Sequence, residues 1–243
     1  MAPVLSVHEL TLRFSGAAAA VIEGLNLALA PGEFLVIVGG SGVGKSTLLR
    51  AMAGLIAPES GRVEVPAPAR PGRRRRAIVF QDGRLMPWRR LAANVRFGLE
   101  GLGVSRAEAT RRVAAALDLT GLSEFADRFP HQLSGGQAQR AGIARALAVE
   151  PDILLMDEPF SAVDAITRAG LQTEVTRIWQ ASGAGVVFVT HDIEEAVLLA
   201  DRVLVLAGQP AHVALDLPIG ASRPRRRGDS ALAPLAERIE AAL

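Results

Sequence analysis

The residues best suited to chemistry lie in one glycine-rich run: Gly39, Gly40, Ser41, Gly42, Val43, Gly44, Lys45, Ser46 and Thr47. Its glycines allow the backbone to curl so that successive N–H groups point inward, and a following helix adds its positive dipole end. Lys45, the only lysine in the chain, is expected to reach the β- and γ-phosphates of a nucleotide. Ser46 is expected to ligate Mg²⁺, and Thr47 to hydrogen-bond phosphate nearby. The spacing G-x-x-x-x-G-K-[ST], between an apolar run and a helical pattern, predicts a phosphate-binding loop.

Two adjacent acids, Asp157 and Glu158, follow the apolar run 153–156. Carboxylates at the end of a buried strand are costly unless a metal ion or a reaction uses them. Asp157 has the position of the acid that organises Mg²⁺ beside a phosphate loop. Glu158 is suited to polarise the attacking water, as general-base catalysis requires.

Gln81 and His191 each follow an apolar run, at 77–80 and 185–190. Ligands of open α/β sheets bind at the carboxyl ends of strands, so both side chains are expected at the edge that carries Lys45. Gln81 is predicted to contact Mg²⁺ or the attacking water, with a plain loop glutamine as the alternative. His191 is predicted to bond the γ-phosphate and to report whether that group is present.

A second anion site is predicted where the run Leu133, Ser134, Gly135, Gly136 and Gln137 precedes a helical pattern at 138–149. Ser134 is a good N-cap, and glycine amides at a helix start attract anions. One complete phosphate loop and a second anion site suggest that each serves a different nucleotide, as in a head-to-tail homodimer. A plain capped helix is the alternative.

Composition limits the class of protein. The chain has 243 residues, no cysteine and a net charge of +2. It has no apolar run long enough to span a bilayer and no signal peptide, so we do not expect a protein integral to a membrane. Absence of cysteine fits the reducing cytosol. The arginine clusters at 73–76 and 223–227 are expected to be a solvated loop and tail, with no nucleic-acid partner.

Hydrophobic periodicity predicts the elements that position these residues. Strands are expected at 4–14, 25–29, 34–38, 62–65, 77–80, 153–157, 185–190 and 202–206. Helices are expected at 48–53, 91–99, 106–117, 138–149, 165–181, 192–199 and 231–242. The first two strands should be antiparallel, and the loop 66–76, rich in proline and arginine, should be flexible.

Two aromatic side chains have competing interpretations. Phe14 precedes a turn and could stack on a nucleobase, with an ordinary core position as the alternative. Trp88 lies in a loop beside two arginines, which is typical of an interface anchor. A role in packing alone is the alternative for Trp88.

In this order the motifs resemble those of ATP-binding subunits of ABC transporters, over about residues 4–215. Four stretches match Walker A, the LSGGQ signature, Walker B and the D-loop, namely residues 39–47, 133–137, 153–157 and 161–164. Gln81 matches the Q-loop, Glu158 the catalytic glutamate and His191 the switch histidine. Phe14 falls where the family has an aromatic that stacks on adenine.

The resemblance implies an α/β fold, with a P-loop NTPase (RecA-like) core, an antiparallel β subdomain and a helical signature subdomain. We expect one ABC ATPase domain over residues 1–243. Its core would lie at about 1–85 and 150–220, its helical subdomain at about 86–149, and a tail and helix at about 221–243.

ATP and Mg²⁺ are the implied cofactors, with Ser46, Gln81 and Asp157 near the metal. Two subunits, identical or paired, would sandwich two Mg·ATP. In that arrangement Ser134, Gly136 and Gln137 of each subunit contact the nucleotide of the other.

Within the family, the run 81–90 followed by Asn94, together with the tail 223–229, resembles importers of the nitrate/sulfonate/taurine group. This implies an integral membrane permease contacted near residues 81–90, and a periplasmic or lipid-anchored solute-binding protein. The subunit itself would be cytoplasmic and peripheral on the inner face of the plasma membrane. Gly40 departs from the family, which more often has proline, serine or asparagine there.

Other functions of this family need features that differ from those present. DNA-repair members need a long coiled-coil insertion, translation factors usually carry two such domains, and exporters are commonly fused to membrane spans. A soluble ABC ATPase that acts in assembly of a non-transport complex stays open as an alternative.

Overall fold

This computed structural model describes residues 2–66, 72–161 and 164–243. The contacts between residues divide the chain into two units. The first unit comprises Met1–Pro66 and Gly185–Leu243, and the second comprises Ala67–Ala184. Part of the loop expected at 66–76, and the residues Ala162 and Val163 of the expected D-loop, lie outside the described residues. Each unit has strands and helices of its own.

The described strands are β1 (Leu5–Leu12), β2 (Ile22–Leu29), β3 (Phe34–Gly39), β4 (Ser60–Glu64), β5 (Arg76–Val79), β6 (Ile153–Asp157), β7 (Gly185–Thr190), β8 (Arg202–Ala207) and β9 (His212–Pro218). The described helices are α1 (Lys45–Met52), α2 (Leu91–Phe97), α3 (Arg106–Leu119), α4 (Gly135–Leu147), α5 (Ala165–Ser182), α6 (Ile193–Leu199) and α7 (Ala233–Glu240). Short 3-10 turns lie at Ser123–Phe125 and Pro130–Gln132.

The centre of the first unit is the strand β3, which lies between β7 and β8 and is parallel to both. All three are runs rich in Val, Ile, Leu and Phe, and β3 and β7 are buried throughout, as strands covered on both faces must be. Val38 pairs with Thr190, and Gly39 pairs with Leu206. The residues that follow Gly39 and Thr190 therefore leave the strands at the same edge.

The other sheet of the first unit is antiparallel, in the order β2-β1-β4. The side chains of β1 and β2 alternate between buried and more exposed positions, as expected of strands with one covered face. The prediction that the first two strands are antiparallel is confirmed. β2 begins at Ile22, earlier than the predicted 25–29.

Helix α1 begins at Lys45, three residues before the apolar pattern that predicted it at 48–53. The residue before it, Gly44, has a φ of 110°, a conformation that favours glycine. The phosphate loop therefore runs directly into the first turn of α1. Helix α6 begins after Asp192, whose carboxylate accepts a hydrogen bond from the Glu195 amide at 3.2 Å.

The second unit contains the parallel pair β5 and β6, in which Val79 pairs with Met156. Its helices α2, α3 and α5 begin at the predicted residues and end within two residues of the predicted ends. α4 begins at Gly135 instead of 138 because Ser134 caps it, accepting from the Gln137 amide at 3.2 Å.

The strand β9 has no counterpart among the sequence-based predictions. It is paired with β8 in antiparallel register, and within β9 only Leu217 is buried. A strand whose side chains are mostly exposed carries a weak hydrophobic pattern.

The expectation that the arginine clusters form a solvated loop and tail is wrong for several of their members. Arg75 donates to Asp152 at 2.9 Å, and Arg76 opens β5, where burial lowers the pKa of its guanidinium. In the tail, Arg223 bonds the Asp201 carboxylate and the Leu199 carbonyl. Guanidinium groups whose N–H donors find carbonyl and carboxylate acceptors can be partly buried.

Arg225 connects the tail to the end of helix α6. Its guanidinium donates to the carbonyls of Val197 at 3.0 Å and Ala200 at 2.6 Å. It also donates to the carbonyls of Ile219 and Ala221. The last carbonyls of a helix have no intrahelical partner, so Arg225 satisfies them and places a positive charge at the negative dipole end. Burial is the main cause that lowers the pKa of this guanidinium, and the positive charge of Arg223 lowers the pKa further.

We predict that Arg225→Ala lowers the free energy of unfolding by about 2–3 kcal/mol, since several charged hydrogen bonds to half-buried carbonyls are lost. Arg226→Ala is the matched control, because Arg226 is exposed and its side chain has no hydrogen bond or ion pair to any described residue. The control should change stability by less than about 0.5 kcal/mol. Urea denaturation measures both, and equal values for the two variants would show that the tail is not anchored by Arg225.

Candidate active site

The phosphate loop of the first unit depends on two close approaches that only glycine allows. A Cβ on Gly39 would lie 2.7 Å from the Leu206 carbonyl oxygen and 2.8 Å from Val43 Cγ1. A Cβ on Gly44 would lie 2.7 Å from Val21 Cγ1. These are distances at which something must shift, so β8 and the β1–β2 hairpin confine the loop from two sides.

Lys45 lies at the centre of this loop and is buried. Its ammonium donates to the carbonyl oxygens of Gly39 at 2.8 Å and Gly40 at 3.0 Å. The loop therefore curls round the lysine. Ser46 and Thr47 are half-buried in the first turn of that helix.

Gly40 differs from its neighbours in the loop. It is exposed, its φ is not positive, and a Cβ there would have no heavy atom within 4 Å. A side chain at position 40 would therefore meet no clash at its Cβ.

His191 lies on a rigid turn between β7 and α6, in the same unit as Lys45. Thr190 Oγ1 donates to the buried Glu195 carboxylate at 2.7 Å and accepts from the Asp192 amide at 3.0 Å. The imidazole itself is exposed. Because Val38 pairs with Thr190, His191 leaves the sheet at the same edge as the phosphate loop, and its bond to a phosphate stays a prediction.

Phe14 is 55% exposed, so the interpretation as an ordinary core residue is wrong. It lies in the turn between β1 and β2, where its carbonyl accepts from the Ala17 amide at 3.0 Å. The same hairpin packs Val21 and Ile22 against Gly44. An exposed aromatic ring is suited to stack on a nucleobase, and this role of Phe14 stays a prediction.

In the second unit, Asp157 and Glu158 end the strand β6. Asp157 is buried, with 7% of its surface exposed. Glu158 is half-buried and has a φ of 43°, a left-handed conformation that costs a residue other than glycine roughly 1–2 kcal/mol. The Glu158 carbonyl accepts from the Ser161 hydroxyl at 2.9 Å and from its amide at 3.2 Å. This turn holds the strained backbone in place.

Gln81 is exposed and follows β5, next to the end of β6. The loop that carries it is fixed to helix α4. Arg145 donates to the carbonyls of Gly83 at 2.6 Å and Arg84 at 2.7 Å, and burial lowers the pKa of its guanidinium. A Cβ on Gly142 would lie 3.2 Å from Gly83 Cα. The predictions did not include Arg145 and Gly142, although both lie on the helical pattern that begins at 138.

The signature run includes the first turn of α4, and Ser134 is the N-cap of this helix, as predicted. Ser134 and Gln137 form a reciprocal capping box, with the Ser134 amide donating to Gln137 Oε1 at 2.9 Å. The amides of Gly135 and Gly136 come next and have no preceding helical carbonyl to bond. A cavity of about 300 Å³ adjoins this helix start and is lined by Ser134, Gly136, Gln137, Arg140, Gly170, Leu171 and Glu174.

The predicted site residues thus fall into two groups. Phe14, the phosphate loop and His191 belong to the first unit. Gln81, Asp157, Glu158 and the signature run belong to the second unit, where α4 links the signature to the Gln81 loop. The metal, cofactor and catalytic roles of these residues stay predictions.

A buried parallel strand, a glycine loop curled round a lysine and a helix that begins at that lysine define a P-loop nucleotide-binding protein. A sequence model of the ABC transporter family matches residues 22–161. The chain belongs to this family. It is an ATP-binding subunit of the family and an ATPase, as predicted from its motifs.

Individual relatives are similar over nearly the whole chain. The aliphatic sulfonates import ATP-binding protein SsuB of Granulibacter bethesdensis is 45% identical, covering 96% of this chain and 91% of that protein. The taurine import ATP-binding protein TauB of Pseudomonas aeruginosa is 44% identical over 93% of this chain and 87% of that protein. The predicted likeness to the sulfonate/taurine group is confirmed.

Solved structures confirm the predicted α/β fold class. The structure of cbiO1 from Clostridium perfringens, part of the ABC transporter complex cbiONQ, has a TM-score of 0.80 and 29% identity, covering 99% of this chain and 93% of that chain. The ATP-binding cassette MJ0796, a dimer bound to ADP and Pi, has a TM-score of 0.74 and 29% identity, covering 90% of this chain and all of that chain. None of the helices in the described part of the chain is long and apolar enough to cross a membrane.

The two glycines at the start of the loop give a matched test of its geometry. Gly39→Ala should weaken ATP binding about tenfold or more, since overpacking against the Leu206 carbonyl costs about 1–3 kcal/mol. Gly40→Ala, whose Cβ meets open space, should bind ATP as the unmodified chain does. Calorimetric titration with ATP measures both, and unchanged affinity in Gly39→Ala would contradict the confined loop.

Proposed function

We propose that the chain is the ATP-hydrolysing subunit of an importer for small sulfonates of the aliphatic sulfonate and taurine class. The relatives that support this are named import ATP-binding proteins and are 43–47% identical. The structural observation that carries the proposal is the segment 81–90, which joins Gln81 to an exposed tryptophan. This segment provides a mechanical link between the nucleotide and a membrane partner.

The donors that would hold Mg²⁺ are the Ser46 hydroxyl, the Gln81 amide oxygen and the Asp157 carboxylate. All are hard oxygen ligands, and Mg²⁺ in phosphate sites takes few protein ligands in addition to phosphate oxygens and water. The fit is supported by the position of Ser46 in the first turn of α1 and by the buried carboxylate of Asp157. When bound, the ion neutralises charge on the β- and γ-phosphates.

The protein groups have separate tasks in hydrolysis. The amides of the phosphate loop and the Lys45 ammonium bind the β- and γ-phosphates. The Glu158 carboxylate orients and polarises the attacking water, and His191 bonds the γ-phosphate from the neighbouring strand. The hydrogen bonds that fix Thr190 and the Glu158 carbonyl hold both groups in place, so that little reorganisation is needed during the reaction.

The active form is a head-to-tail pair of ATPase subunits. The Gly135 and Gly136 amides and the Ser134 side chain at the start of α4 would contact the γ-phosphate of the nucleotide bound by the other subunit. A helix N-terminus with free amides is suited to bind phosphate. The dimeric MJ0796 structure supports this arrangement.

The permease-contacting surface is the turn that displays Trp88, which is 74% exposed. The fully buried Asn94 amide holds this turn at both sides, accepting from the Met86 amide at 2.7 Å and donating to the Arg89 carbonyl at 2.8 Å. A large apolar side chain on a rigid turn loses little entropy on binding. Movement of the Gln81 loop would therefore be passed to the permease through Trp88.

The remaining components follow from this assignment. The subunit would be peripheral on the cytoplasmic face of the membrane, bound to an integral permease. A periplasmic or lipid-anchored solute-binding protein would deliver the sulfonate. Cargo selection would lie in those partners, since the segment 81–90 faces the permease and not the cargo.

Glu158→Gln should retain ATP binding and lower the rate of hydrolysis about 10²-fold or more, because the amide cannot accept a proton from water. Glu23→Gln is the matched control, since Glu23 is exposed on β2 and its change should leave turnover as it was. Steady-state phosphate release at saturating ATP measures both. Ordinary turnover by Glu158→Gln would remove Glu158 from its role as base.

Trp88→Ala should reduce recovery of the permease with the tagged chain about tenfold, as loss of a central interface tryptophan does, while ATPase activity of the isolated subunit persists. Leu55→Ala is the control, since Leu55 is also exposed and apolar at 56%. The measurement is affinity purification from native membranes in mild detergent, with partners identified by mass spectrometry. Recovery of soluble partners alone by the unmodified chain would refute the importer and favour an assembly ATPase.

A further inference from the structure

One cavity in the second unit is lined by several arginines and by none of the predicted ATP-site residues. Its volume is about 200 Å³, and its lining comprises Arg73, Arg111, Arg112 and Glu150 together with mainly apolar residues such as Leu119 and Leu147. The lining therefore combines three guanidinium groups with one carboxylate and a mostly apolar wall. Among these groups the Arg112 side chain is 9% exposed and that of Arg111 is 65% exposed, so solvent would screen an anion least beside Arg112.

The carboxylate of Glu150 lies among these arginines without a short ion pair. Its oxygens are 3.5 Å from Arg73 Nε, 3.5 Å from Arg112 Nε and 3.9 Å from an Arg111 terminal nitrogen. Charge-assisted hydrogen bonds are shorter, at about 2.7–2.9 Å. Glu150 also has a φ of 48°, and strained backbone of this kind is more frequent at functional positions.

Several guanidinium donors at the cavity are not used by the fold. Arg73 donates through Nε to the Glu150 carbonyl, and Arg112 through Nε and one terminal nitrogen to Glu108 and the Gly72 carbonyl. Across residues 72–161 and the other described ranges, no acceptor is recorded for the terminal nitrogens of Arg73, for one of Arg111 or for one of Arg112. These nitrogens carry N–H groups that are suited to an oxyanion.

The electrostatic environment also favours an anion. Hydrogen bonds from Arg111 and then Arg112 lower the pKa of the neighbouring Glu108 carboxyl to about 2. Three guanidinium groups face the two carboxylates of Glu108 and Glu150, so one positive charge is left over. Guanidinium forks match the oxygen spacing of sulfate, sulfonate and phosphate groups.

The position of the cavity suggests what an anion would influence. Arg73 precedes the amino end of β5 and Glu150 precedes that of β6. Gln81 and Glu158 follow the carboxyl ends of the same two strands. The paired strands β5 and β6 thus connect the cavity to two of the predicted catalytic residues.

We propose that this cavity is an accessory site for an oxyanion of the sulfate or sulfonate type. The oxyanion would bind the unused N–H donors of Arg73, Arg111 and Arg112, and the Glu150 carboxylate would compete with it. The site is independent of the importer assignment and would be present in the isolated subunit.

Calorimetric titration of the isolated subunit with sodium sulfate tests the proposal. A non-hydrolysable Mg·ATP analogue is present at saturation throughout, so that the γ-phosphate position is occupied as well, and sodium chloride of equal ionic strength is the reference. We expect one saturable sulfate site that chloride does not reproduce. Ethanesulfonate is titrated in parallel. Tighter binding of sulfate would identify the free ion as the ligand of the site, and tighter binding of ethanesulfonate would identify an organic sulfonate.

Three variants separate an anion site from a structural ion network. Arg111→Gln, at an exposed arginine, should weaken binding about tenfold, whereas Arg106→Gln, an equal charge change earlier on the same helix, should leave it unchanged. Glu150→Gln should tighten binding, because the competing carboxylate is removed. Absence of saturable sulfate binding, or equal affinities in Arg111→Gln and Arg106→Gln, would overturn the proposal.

Discussion

The curl of the phosphate loop round the Lys45 ammonium is the interaction on which the rest of the first unit depends. Two loop carbonyls hold the ammonium, and no other lysine exists in the chain. A guanidinium is wider and planar, so arginine, which supplies the other basic charges, would not fit that position equally well. The close approach of Gly39 to β8 and of Gly44 to the β1–β2 hairpin keeps the loop in this shape.

The predicted chemistry is divided between the units. The first unit supplies the phosphate loop and His191, both placed by the pairing of β3 with β7. The second supplies the two acids, the Gln81 loop and the signature helix, and Arg145 fixes that helix to the Gln81 loop by hydrogen bonds to two carbonyls. Within the second unit, the side chain of Arg145 therefore ties the Gln81 loop to the helix that begins with the signature run.

Much of this was predictable from the sequence, because the motifs follow strands and open helices, and strands with buried faces have strong hydrophobic patterns. The family, the fold class and most elements follow from those patterns. The strand β9 did not, since it lies at the edge of its sheet with mostly exposed side chains. The hydrogen-bond partners of Arg225 and Arg145 could not be predicted either. Their acceptors are backbone carbonyls distant in sequence, and no sequence pattern identifies such carbonyls.

In the proposed dimer, one chain binds the nucleotide and the signature helix of the other chain completes the site. Sedimentation velocity of Glu158→Gln with ATP, alone and combined with Ser134→Arg, tests this sharing. We expect an ATP-dependent dimer for the single variant. The double variant should stay a monomer that still binds ATP, since the bulky cation blocks only the start of α4. Loss of ATP binding by the double variant, or dimers of undiminished stability, would show that the site is not shared in this way.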